Sequence, residues 1–252
     1  MIEQTKQEFL NEMDCLLRDG KKEQAIKQMN RFIFANDPRV LMKLGNAYIR
    51  IEEFELSFQT YTHLLTMDID QFDKNWIMFN MSIIFRRTKQ IERAKRTLHE
   101  LLKSDLKNPC YLSVLGDCYF DSQKYELAEK YFMDSIKNIN NAISKSDINK
   151  KTICAHAAWF FKETGKIELA IDLYKKALAY FPTDKERLLQ LGDCYSEIGN
   201  SEEAKETYMK VKEYYPNDDI VTITDAPAGK DGAPVFDKIR KAKPASKAEM
   251  KK

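Results

Sequence analysis

One pattern returns along this chain at a nearly fixed interval, and it constrains the fold more than any single motif. Leu191-Gly192-Asp193-Cys194-Tyr195 aligns with Leu115-Gly116-Asp117-Cys118-Tyr119 and with Leu44-Gly45-Asn46-Ala47-Tyr48. Nine residues after each Tyr stands a small residue (Ala204, Ala128, Ser57), and four further on an aromatic (Tyr208, Phe132, Tyr61). The frame also fits Ala158, Phe161, Ala170, Tyr174 and Ala177, and again Ser82, Phe85, Ala94 and Leu98. Pro182 and Pro216 close two of the repeats 34 residues apart. Such self-similarity marks a stack of supersecondary units, none able to bury its apolar face alone.

Helices are the expected elements. Among 252 residues there are only 8 Gly and 7 Pro, against an abundance of Leu, Lys, Glu, Ala and Ile. The small residues of the first helix (Gly45, Ser82, Gly116, Ala158, Gly192) and of the second (Ser57, Ala94, Ala128, Ala170, Ala204) allow paired helices to approach closely. Tyr48, Phe85, Tyr119, Phe161 and Tyr195 then fill the gap between neighbouring repeats, as ridges fill grooves.

In these residues the chain resembles the tetratricopeptide repeat family, whose unit is 34 residues of helix-turn-helix. The resemblance implies an all-α, right-handed superhelical solenoid over residues 1–218. Its repeats fall at 38–71, 75–108, 109–142, 151–184 and 185–218, with a weaker one at 6–37. That first repeat keeps the turn Gly20 and the small Ala25 but has Met13 in place of the small residue. Residues are added around Gln71 to Lys74 and around Ile143 to Lys150; the second insertion should lengthen the helix before or after it.

Beyond Pro216 the composition shifts to Gly, Pro and Lys, and residues 219–252 read as a disordered basic tail. Ile220-Val221-Thr222-Ile223 is a β-prone island in it, suited to pairing with a partner's sheet edge. From Lys238 to Lys252 seven basic residues and one acid give +6, so with +2 overall the rest carries −4.

Several function classes are disfavoured. The five cysteines, Cys15, Cys110, Cys118, Cys154 and Cys194, form no CxxC pair and read as small buried thiols. The three histidines, His63, His99 and His156, fall in different repeats and in no HExxH motif. No phosphate-cradling glycine loop occurs. The expectation is therefore no enzyme, no cofactor and no metal. No apolar run is long enough to cross a bilayer and the first residues lack a secretory pattern, so a soluble cytoplasmic protein without membrane insertion is expected.

The resemblance also implies a binding surface: the concave face lined by the first helix of each repeat. Transferred residue by residue, it places Asn46 and Arg50 inward from one repeat, and Trp76, Phe79, Asn80, Arg86 and Arg87 from the next. Asp117, Phe120 and Asp121 follow, then His156 and Trp159, then Asp193. Both tryptophans of the chain lie on this face, and aromatics and Arg dominate binding hot spots. The basic residues gather toward the N-terminus and the acidic ones toward the C-terminus, a field that would orient a peptide. The chaperone-peptide clamp known in some members is incomplete: Asn46 and Asn80 match it, but Met42, Cys110 and Val114 replace its basic residues.

The expected function is a scaffold or adaptor that binds a protein or peptide in the concave groove. Two alternatives are a nucleic-acid or ribosome-associated adaptor using the basic tail, and a structural subunit of a homodimer joined through an uncapped C-terminal repeat. The tail lacks aromatics for base stacking, which disfavours nucleic acid.

Overall fold

The computed structural model describes residues 2–31, 37–140, 147–216, 221–223 and 236–238. Its twelve described helices are α1 (Ile2–Arg18), α2 (Lys22–Met29), α3 (Pro38–Arg50), α4 (Phe54–Leu64), α5 (Gln71–Arg87), α6 (Ile91–Ser104), α7 (Pro109–Asp121), α8 (Tyr125–Lys137), α9 (Asp147–Glu163), α10 (Ile167–Tyr180), α11 (Lys185–Glu197) and α12 (Ser201–Tyr214). They fall into helix pairs at the expected period. The chain divides into two compact bodies, Met1–Tyr131 and Phe132–Lys252.

Local chemistry sets the helix ends. The first helices of four repeats are capped by side chains: the carboxylates or amide of Asp37, Asp70, Asn108 and Asp184 accept from backbone N–H groups of the first turn. Pro38 and Pro109 then occupy positions where no N–H is needed. The turn to the second helix is made the same way six times, by one residue in the left-handed region. It is Gly20, Gly165 and Gly199 in three repeats, and Glu52, Lys89 and Gln123 in the others.

The two insertions lengthen first helices. α5 and α9 each have 17 residues where α3, α7 and α11 have 13. The added residues thus supply about one more turn at each N-terminus. Residues 141–146, part of the second insertion, lie outside the described residues.

Packing inside a repeat turns on one small-to-large pair. A Cβ placed on Gly45 would lie 2.3 Å from Cε1 of Tyr61, and one on Gly192 would lie 2.5 Å from Cε1 of Tyr208. The corresponding pairs are Ser82 with Leu98 and Ala158 with Tyr174, all fully buried. In the first repeat Met13 and Met29 stand at these two positions, and both are buried. Ser57 Oγ donates to the Gly45 carbonyl at 2.8 Å, so the close approach carries a hydrogen bond as well.

In the first body one apolar cluster joins α1 to α5 and a second joins α5 to α7, both reaching Phe58 and Met81. In the second body Phe132 meets Phe160 at 4.9 Å, and α9, α10, α11 and α12 pack in sequence order. One expectation needs correction here. Cys15 is exposed, unlike Cys118 and Cys194 at the same repeat position. Cys118 is enclosed with Phe85 and Leu98 of the preceding repeat, whereas α1 packs on no preceding described helix.

The flank of α12 is charged where the homodimer expectation required an apolar surface. Lys205 and Lys212 stand exposed at the positions where Ile171, Lys95 and Leu102 are buried in inner repeats. Met209 and Tyr214 are the exposed large apolar side chains on that helix. The β-prone island pairs within its own chain: β1 (Val221–Ile223) runs antiparallel to β2 (Phe236–Lys238), with Val221 opposite Lys238. The remaining tail residues lie outside the described ones.

Gly45→Ala should destabilise the protein by about 1–3 kcal/mol through overpacking. Adding Tyr61→Leu, the Ser82–Leu98 solution, should recover most of the loss in denaturant melts. Lys89→Gly should raise stability by about 1 kcal/mol, because glycine enters the left-handed region without strain.

Candidate partner-binding wall

The first helices of the first body lie side by side, with α1 against α3, α3 against α5, and α5 against α7. They form one wall, and the expected inward residues of the first body stand on three of its helices, α3, α5 and α7. Those of the second body stand on α9 (His156 and Trp159, both partly buried) and on α11 (Asp193).

Most of these side chains have work inside the fold. Trp76 is partly buried and meets Tyr61 edge-on, with ring centroids 5.9 Å apart. Phe79 packs on Tyr111 at 5.3 Å, and Phe120 on Tyr125 at 5.7 Å. Asn80 is buried, and its amide donates to the Trp76 carbonyl at 2.8 Å. Asn46 accepts from the Tyr61 hydroxyl at 3.0 Å, and Asp193 accepts from the Tyr208 hydroxyl at 2.7 Å. The polar residue one position after the glycine therefore holds the ring that the glycine admits.

The charges are also used locally. Arg86 bridges to the next repeat, reaching Asp117 at 3.0 Å and Asp121 at 2.8 Å. Lys162 repeats the device in the second body, at 3.8 Å from Asp193 and 3.1 Å from Glu197. In both cases a cation at the twelfth position of one repeat meets acids at the ninth and thirteenth of the following one. Burial works against each cation, but the facing carboxylates outweigh it and raise both pKa values. Arg50 pairs with Asp14 at 3.2 Å, and Arg87 pairs with Glu52. The expected field running from basic to acidic is thus largely cancelled by pairs between neighbouring repeats. Sequence reading missed Asp14, Glu52 and Tyr111. The alternation of sign between positions twelve and nine of successive repeats was visible, and it was a signal for pairing.

The buried thiols are chemically quiet. Burial pushes the Cys118 thiol up to about 12, and those of Cys154 and Cys194 up to about 11. Among the described residues no group of His, Cys, Asp and Glu could hold a metal ion, and no helix is long and apolar enough to cross a membrane.

A family model described as tetratricopeptide repeat matches residues 111–141, and another of the same description matches 162–221. These two stretches of the chain are tetratricopeptide repeats. Its fold is similar to a chain of the APC/C hetero-tetramer Cut9–Hcn1, with a TM-score of 0.62 and 13% identity over 84% of this chain and 40% of that one. It therefore spans well under half of that protein. It is also similar to BtubC from P. vanneervenii (TM-score 0.57, 12% identity, 84% and 91% covered). A third similar structure is pilF of Pseudomonas aeruginosa (TM-score 0.56, 15% identity, 70% and 76% covered). At these identities the likeness is one of fold. No curated protein matches this tetratricopeptide repeat chain in sequence.

Two measurements check this account. Arg86→Ala leaves Asp117 buried without the guanidinium and should cost about 2 kcal/mol. Arg50→Ala, which removes an exposed pair, should cost well under 1 kcal/mol. Thiol labelling of the native protein should be fast at Cys15 and slow at Cys118, Cys154 and Cys194. The raised thiol pKa values add stability that is complete below the unfolded value near 8.5. That stability should fall as the pH rises toward about 12.

Proposed function

We propose that this chain is a non-catalytic interaction scaffold, and that a protein or peptide partner is held on the wall of first helices. One observation carries the reading. On α5 the residues Phe72, Trp76, Phe79 and Ile83 recur at helical spacing, and none is fully buried although they line one stripe. Phe72 is 69% exposed, more than any other large aromatic among the described residues. Trp76 and Phe79 are held from behind by Tyr61 and Tyr111, so the stripe is stiff, and a stiff aromatic surface loses little entropy on binding. The tetratricopeptide repeats at 111–141 and 162–221 support the reading, as does similarity in fold to a chain of the Cut9–Hcn1 hetero-tetramer. The charged flank of α12 gives the homodimer alternative no comparable surface.

A photo-crosslinking residue at Lys43 or Phe72 of the full chain, expressed in cells, should capture a discrete partner. The same residue at Arg96 or Lys103, exposed on α6 of the second-helix layer, should not. Capture from α6 alone would move the binding surface off this wall.

A further inference from the structure

We infer that the segment received by the first body's wall is apolar and carries lysine or arginine, and that it docks along α5 with its basic residue at the α5 N-terminus. The inference rests on the scaffold reading above and adds the partner's chemistry.

The apolar part follows from the stripe. Phe72, Trp76, Phe79 and Ile83 sit at i, i+4, i+7 and i+11, within one side of the helix, and the extra turn of α5 carries the most exposed of them. The basic part follows from what charge remains. At the C-terminal ends of α3 and α5, Arg50, Arg86 and Arg87 are each matched by carboxylates. At the N-terminal ends the balance is different. Asp37, Asp68, Asp70 and Asp73 line one recess of about 460 Å³ together with Pro38, Ile69 and a single cation, Arg39. Asp37 and Asp70 cap α3 and α5, and each helix end offsets about half a charge. With Asp37 set aside, since it has an interaction of its own beyond the cap, Asp68, Asp70 and Asp73 against Arg39 and the α5 end leave about one and a half negative charges.

Phe72 is the residue before Asp73, so the exposed ring stands beside the acidic recess without lining it. A lysine or arginine there would keep its aliphatic stem on the aromatic ring and its head among the carboxylates. An acidic segment would meet repulsion at that end and find its expected basic partners already engaged.

The test uses a phage-displayed library of random peptides selected on the full chain, followed by titration of the enriched peptides. The expected consensus joins Lys or Arg to aromatic or large aliphatic residues. Affinity should fall about tenfold on Phe72→Ala and again on Asp68→Lys, and should weaken with salt. Both positions are exposed, so neither change threatens the fold. An acidic or uncharged consensus overturns the inference. So does binding that responds to Phe79→Ala but ignores Phe72→Ala and Asp68→Lys, an outcome that leaves the scaffold reading standing. Absence of enrichment, or binding indifferent to all three substitutions, ends both.

Discussion

The close approach of the two helices in each repeat, one small residue under one large ring, is the constraint on which the other features rest. Gly45 admits Tyr61 to within a distance that any side chain would block, and Gly192 does so for Tyr208. The ring then delivers its hydroxyl to Asn46 or Asp193 on the first helix, which orients the polar residue beside the glycine. Packing and polar satisfaction are therefore settled by the same contact. In the first repeat Met13 and Met29 take the two positions, both are buried, and the helices still meet.

Repeats joined in this way need a second device to fix each against the next, because a stack gains stability only through its interfaces. Apolar residues such as Phe85 and Leu98 supply most of it, since Cys118 and Leu115 of the next repeat share their cluster. The ion bridges of Arg86 and Lys162 add direction. Each reaches forward to two acids one repeat away, from a cation that is itself partly buried. Their use inside the fold has a functional consequence. Charges spent between repeats are not offered to a partner, and the electrostatic character of the wall is set by the few that remain.

The aromatic residues show the same economy differently. Trp76 and Phe79 are neither core nor free anchors: one side of each ring is packed while the residue stays partly exposed. A surface of this type is rigid before a partner arrives, which favours binding without further ordering. Phe72, added by the extra turn of α5, is the exception, with most of its surface exposed.

The period, the helix pairs and the turn positions were all legible in the sequence, because they depend on residues close together in one repeat and are written several times over. So was the helix on which each expected binding residue stands, since a fixed frame assigns it. What the frame could not supply was the state of those residues. Whether Asn80 is buried, whether Arg86 is paired, and whether Cys15 is covered each depend on a neighbour one repeat away, and the sequence does not state its distance. The first helix and the flank of α12 differ from inner repeats in this respect: the same repeat position is buried where another described pair covers it and exposed on Cys15 and Lys205, where no described pair does. Repetition determined the fold; the contacts between repeats decided which charges and rings were left for binding.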